Sequence, residues 1–207
     1  AVNERIHLLQ DTDGDGRADV AKVFAEGFNE EINGVMAGVL PYRGDVFATI
    51  YPDVWKLNDT DGDGYADKRE VFFHGFGVHA ALDGHDLHGL TVGPDGKLYF
   101  SVGDNGFSVR TREGRLLHHP NTGGVLRCNW DGSDLEVFAT GLRNVQELAF
   151  DDFGNLFSVD NDGDIREERE RFVYITEGSD SGWRLNWQFK KGGWPGRTQT
   201  PEYCPWI

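Results

Sequence analysis

Short runs in which apolar and polar residues alternate make up most of the chain, punctuated by glycine, proline, asparagine and aspartate. Arg5 to Leu9 (RIHLL), Ala21 to Ala25, Asp53 to Leu57 (DVWKL), Arg69 to Phe73 and Leu98 to Val102 each read this way. A period of two puts one face of a strand on a core and the other toward solvent. Stretches with apolar residues at i, i+3, i+4 and i+7 are hard to find. Three pairs of runs are joined by turn residues: Val39–Ala48 around Arg43-Gly44-Asp45, Leu90–Val102 around Pro94-Asp95-Gly96, and Leu148–Val159 around Asp152-Phe153-Gly154-Asn155. Proline presets φ and glycine tolerates φ > 0, so each pair predicts an antiparallel hairpin.

The pattern repeats. A strand, the loop Asp11-Thr-Asp-Gly-Asp-Gly-Arg-Ala-Asp19, a second strand and Gly27-Phe28 recur in the same order from Asp59-Thr-Asp-Gly-Asp-Gly-Tyr-Ala-Asp67 to Gly75-Phe76. Loop starts and closing glycines share one offset of 48 residues, and Leu135–Ala139 with Gly141-Leu142 repeats the closing strand more loosely. A period of this size with four short strands per unit indicates propeller blades. The expectation is an all-β protein, a β-propeller of six-bladed type in the full protein. Residues 1–189 supply about three to four blades, and 190–207, where the period is lost, form a tail toward further blades. Closed propellers need about four to eight blades, so the chain reads as part of a longer protein or complex.

Composition narrows the function. Thirty-five acidic against 20 basic residues give a net charge of −15, which argues against a nucleic-acid partner or an anionic membrane surface. No apolar run is long enough to span a membrane. The two cysteines, Cys128 and Cys204, lack metal-ligand spacing, and the sequence leaves open whether they pair. Cys128 is expected in an outer strand as an inert small residue.

Much of the acidity is concentrated in the two repeated loops. Asp11, Asp13, Asp15 and Asp19, and likewise Asp59, Asp61, Asp63 and Asp67, stand at positions 1, 3, 5 and 9 of a tight loop with glycine at 6. That is the early part of the EF-hand ligand order, with backbone carbonyls expected at Arg17 and Tyr65. Hard oxygen ligands in this number select Ca²⁺, and carboxylates packed so closely repel one another without a cation. Position 12 is Lys22 in the first loop and Glu70 in the second, and the flanks are strands. Two structural calcium sites are expected, with a third candidate at Asp160, Asp162 and Asp164; its alternative is pairing with Arg166, Arg169 or Arg171. An affinity of roughly 10⁻⁴–10⁻³ M, as in extracellular modules, would suit them and favours a secreted or periplasmic location.

The candidate chemistry lies in Gly84–Gly106. His85 precedes the first strand of a hairpin and Asp104 follows the second, so the two should meet at one end of a blade. Gly84-His85-Asp86-Leu87-His88-Gly89-Leu90, Gly93-Pro94-Asp95-Gly96-Lys97-Leu98-Tyr99 and Gly103-Asp104-Asn105-Gly106 resemble the soluble glucose dehydrogenases that use pyrroloquinoline quinone (PQQ). So do Gly141-Leu142-Arg143-Asn144-Val145-Gln146-Glu147-Leu148-Ala149-Phe150 and Gly178-Ser-Asp-Ser-Gly-Trp183. With its paired DTDGDG loops, the whole pattern is most similar to the membrane-bound dehydrogenase-like proteins of Planctomycetes and relatives, often fused to a cytochrome c domain. The resemblance implies a quinoprotein oxidoreductase acting on a sugar or other alcohol. In it His85 is the general base, Arg143, Asn144 and Gln146 contact the quinone, and electrons pass to a cytochrome domain or partner.

Val145 and Glu147 stand where that family has proline and glycine, Ser181 replaces an aromatic, and Gly84 replaces an aspartate. These departures support the rival reading, a non-catalytic calcium-stabilised propeller that binds glycan or protein. A lactonase-type propeller would not need the Arg-Asn-x-Gln strand. His88 is expected to be structural, His118-His119 a surface pair, and Trp183 and Trp187 packing residues.

Overall fold

The computed structural model describes residues 4–29, 35–78, 84–161 and 170–184. Asp162, Asp164, Trp187, Cys204 and the expected tail lie outside them. Every regular element among the described residues is a strand: β1 (Glu4–Gln10), β2 (Val20–Phe28), β3 (Met36–Tyr42), β4 (Asp45–Ile50), β5 (Asp53–Asn58), β6 (Lys68–His74), β7 (Leu87–Val92), β8 (Leu98–Val102), β9 (Phe107–Arg110), β10 (Leu116–His119), β11 (Gly123–Cys128), β12 (Glu136–Leu142), β13 (Ala149–Phe150), β14 (Leu156–Asp160) and β15 (Arg171–Ile175). No helix among these residues is long and apolar enough to cross a membrane.

The architecture is the expected all-β propeller. Two four-stranded antiparallel sheets, β3-β4-β5-β6 and β7-β8-β11-β12, are followed by a three-stranded sheet, β13-β14-β15, and preceded by the β1-β2 pair. The three predicted hairpins are β3-β4, β7-β8 and β13-β14, each closed by the turn residues read from the sequence. The 48-residue offset lays β1-β2 onto β5-β6, the last two strands of a blade. The repeat then becomes irregular because the small hairpin β9-β10 is inserted between β8 and β11.

Three apolar clusters lie between successive sheets. Ile6, Phe24 and Phe28 pack on Ala48, Ile50 and Leu57. Phe47, Val54, Phe72 and Phe73 meet Phe100, Val102, Leu126 and Cys128, and Tyr99, Val125, Phe138 and Leu142 meet Leu148, Leu156, Val173 and Ile175. β8 is buried on both faces rather than on one, as alternation would have it, and LYFSV is accordingly a near-continuous apolar run. Full burial of one such Leu or Phe contributes about 1.5–3 kcal/mol. Cys128 is fully buried in β11, a third strand rather than the outermost one, because Glu136–Leu142 pairs outside it. Burial pushes its thiol up to about 12.

After β15 the chain returns to the neighbouring blade. Residues 178–183 run alongside β12 as a parallel strap, with Gly178 N–H donating to Phe138 O, Thr140 N–H to Ser179 O, Ser181 N–H to Thr140 O, and Trp183 N–H to Gly141 O. Gly141 permits this approach. Its φ is +77°, and a Cβ there would lie 2.1 Å from Asp180 Oδ1 and 2.4 Å from Gly182 N.

Candidate functional site

The ends of β7, β8, β12 and β14 converge. His85 enters β7, and Gly103-Asp104 leaves β8 so close to it that a Cβ on Gly103 would lie 2.4 Å from His85 O. The imidazole Nδ1–H of His85 donates to Asp104 Oδ1 at 2.8 Å, and both residues are buried. The antiparallel hairpin therefore brings together the pair that the sequence placed at its two ends. Asp104 N–H donates to Arg143 O at 2.7 Å, which joins this blade end to the strand exit after β12.

Two residues with no expected role in the site, Trp183 (expected only to pack) and Asp86, complete the cluster. The indole Nε1–H of Trp183 donates to the other oxygen of Asp104 at 2.6 Å, so Trp183 does more than pack. Asp86, 1% exposed, accepts from Asn105 Nδ2 at 3.2 Å. Nothing in the local pattern distinguishes Asp86 from the acids of a solvated turn, and the Trp183 contact spans 79 residues of sequence.

His88 is buried in β7, where its Nε2–H donates to Gly84 O at 2.8 Å. Burial holds its pKa below the ordinary imidazole value, opposed by that bond and by the Asn144 side chain. Asn144 Oδ1 lies close enough to favour the charged ring but outside hydrogen-bond geometry, and it is buried without a partner. Arg143, 3% exposed, reaches Asn161 O and Oδ1 through Nη1 at 2.9 Å each. Its guanidinium carbon stands 5.7 Å from the centre of the Trp183 ring. Gln146 is exposed.

Asp160 is fully buried. One or both of its oxygens accept from Arg143 N–H and Asn144 N–H, and Arg171 Nη2 donates at 2.6 Å. Arg171 thus holds the carboxylate that the sequence offered to a third cation, and the companions Asp162 and Asp164 lie outside the described residues.

The two aspartate loops are built alike. One carboxylate oxygen each from Asp11, Asp13 and Asp15, and from Asp59, Asp61 and Asp63, lie within 4.8 Å of one another. Asp11 accepts from Gly14 and Gly16 N–H, and Asp59 from Gly62 and Gly64 N–H. Arg17 and Tyr65 donate their N–H to Asp15 and Asp63. Asp19 and Asp67 stand apart from the triads and bind the N–H and hydroxyl of Thr12 and Thr60. Lys22, at position 12 of the first loop, instead reaches the second, donating to Asp63 O at 3.0 Å. Glu70, at position 12 of the second, pairs with Arg112. His118 is exposed, whereas His119 is half-buried and stacks on Phe107.

The family described as "Domain of unknown function (DUF7133)" matches residues 1–181. The chain belongs to it. No curated protein matches the sequence. Among solved structures, the PQQ-bound form of aldose sugar dehydrogenase from Streptomyces coelicolor is similar at 20% identity and a TM-score of 0.55, over 82% of this chain and 54% of that one. A protein described as an oxidoreductase (glucose dehydrogenase) from Thermus thermophilus is similar at 23% identity and a TM-score of 0.56, over 96% and 61%. A further glucose dehydrogenase aligns at 19% identity and a TM-score of 0.59, over 86% and 57%. The DUF7133 chain therefore shares the propeller fold of these proteins and spans somewhat more than half of their length.

Proposed function

We propose that this DUF7133 chain belongs to a quinoprotein-like oxidoreductase that oxidises a sugar or other alcohol. The observation that carries this reading is the buried His85–Asp104 pair at the end of a blade, on a fold shared with sugar dehydrogenases. With Nδ1–H committed to Asp104, proton abstraction from a substrate hydroxyl falls to Nε2 of His85, and Asp104 stabilises the imidazolium that forms.

The donor set fits a planar quinone in part. Gln146 is exposed, Asn144 Nδ2 holds Asn161 only at 3.4 Å, and Asn144 Oδ1 is buried without a partner. Arg143, Asn144 and Gln146 would hold PQQ, which when bound accepts the hydride from the alcohol carbon. The aspartate triads would bind structural Ca²⁺, tying together the outer strands of neighbouring blades. The same reading places the protein outside the cytoplasm, where calcium is abundant, and passes electrons to a cytochrome c domain or partner.

One observation favours a second reading. Arg143 is 3% exposed and spends Nη1 on Asn161, as it would in a calcium-stabilised propeller that binds glycan or protein without catalysis.

The test is reconstitution of the full-length protein with Ca²⁺ and PQQ, followed by an absorbance titration and a dye-linked sugar and alcohol screen. Stoichiometric PQQ binding with turnover, and a fall of about 10²–10⁴-fold in turnover for His85→Ala, is the expected result. A folded, calcium-loaded protein that binds no PQQ would overturn the dehydrogenase reading in favour of the binding module.

A further inference from the structure

We infer that Trp183 is a positioning residue for His85, acting through Asp104; the role in turnover rests on His85 being the base. Asp104 is 1% exposed, and a buried carboxylate keeps its charge only when donors satisfy its oxygens. The structure assigns one donor to each oxygen: His85 Nδ1–H to Oδ1 at 2.8 Å and Trp183 Nε1–H to Oδ2 at 2.6 Å. The indole bond fixes the rotation of the carboxylate. The carboxylate in turn fixes the ring orientation of His85 and keeps the proton on Nδ1.

The indole is itself held in place. Its main-chain N–H donates to Gly141 O at 2.9 Å, at the end of the strap along β12. The Arg143 guanidinium, 5.7 Å from the ring centre, withdraws electron density and strengthens Nε1–H as a donor. The same Arg143 accepts the Asp104 N–H through its carbonyl oxygen. Side chain, main chain and strap thus converge on one carboxylate.

The consequence is a coupling that packing alone would not produce. Removing the indole N–H leaves Asp104 held by His85 alone, so the carboxylate loses its fixed rotation and the His85 Nδ1–H bond changes with it. Nuclear magnetic resonance of the full-length, calcium-loaded protein without quinone tests this, with His85→Gln to assign the ring signals. The Trp183 Hε1 resonance should shift in His85→Gln, because both donors share one carboxylate. A Trp183 Hε1 resonance that stays still in that variant would overturn the inference, and this measurement needs no indole variant to fold. In Trp183→Phe the His85 ring-nitrogen and Hδ1 resonances should shift. In the Asp104→Asn background the same substitution should leave them unchanged. A folded Trp183→Phe protein with unmoved His85 ring resonances also overturns the inference. A protein that shows the coupling but binds no PQQ would refute the dehydrogenase reading while leaving the relay standing.

Discussion

Asp160, fully buried, and the partly exposed Arg171 form an ion pair at 2.6 Å, and the same carboxylate accepts the main-chain N–H groups of Arg143 and Asn144. The pair therefore shapes the turn that presents the candidate quinone-contacting residues. Removing the carboxylate leaves Arg171 uncompensated and the two buried N–H groups without their acceptor, at a cost of about 2–4 kcal/mol. Asp160→Ala should lose that much in urea unfolding. A loss below about 1 kcal/mol, the range of exposed pairs, would show that water already reaches the site.

Acid should dismantle the aspartate loops. Bonds from Gly16 and Gly14 hold Asp11 below its ordinary value, bonds from Gly64 and Gly62 do so for Asp59, and the Thr12 and Thr60 hydroxyls and N–H groups do so for Asp19 and Asp67. A lowered folded-state pKa contributes stability that is present above the unfolded value of 3.8 and lost as pH falls below it. Calorimetry at pH 7 should show two Ca²⁺ equivalents with dissociation constants of roughly 10⁻⁴–10⁻³ M. Binding should weaken as the pH falls below 3.8, where Asp11 and Asp59 begin to take up protons. Asp59→Asn combined with Asp61→Asn should remove one equivalent, and no heat at millimolar calcium would refute the sites.

His88 predicts a second pH effect, nearer neutrality. Its pKa is lowered chiefly by burial, so the neutral ring contributes stability above its ordinary 6.5 that is lost as pH falls further. The melting temperature should drop between pH 7.5 and pH 5.5, and His88→Gln should flatten that drop. An equally steep fall in the variant would assign it to other groups.

Two glycines separate crowding from backbone strain. Gly141 and Gly178 both have positive φ, at +77° and +75°, but only at Gly141 would a Cβ strike the strap; at Gly178 nothing lies within 4 Å. Gly178→Ala should cost about 1 kcal/mol, the left-handed penalty alone. Gly141→Ala should cost more and shift the Trp183 fluorescence as the indole leaves its buried site. Equal costs would mean the strap yields easily.

What the sequence made legible is local. Alternation and turn chemistry act over a few residues, so the hairpins β3-β4, β7-β8 and β13-β14 and the meeting of His85 with Asp104 could be read directly. The β9-β10 insertion was hidden because its short runs mimic a loop between repeats. The Trp183–Asp104 bond and the reach of Lys22 to the second loop join distant segments and leave no periodic trace. Asp160 shows a different limit, since an acidic run looks the same whether a cation or an arginine meets it.

The strap along β12 also imposes a timetable. Each hairpin closes from neighbouring residues, but Asp104 meets its indole donor only after 79 further residues have been made. At about 5–20 residues per second of synthesis, that interval is roughly four to sixteen seconds. Until then the second oxygen of the Asp104 carboxylate lacks its indole donor. The Asp104 site is therefore completed only by the last residues of the described chain.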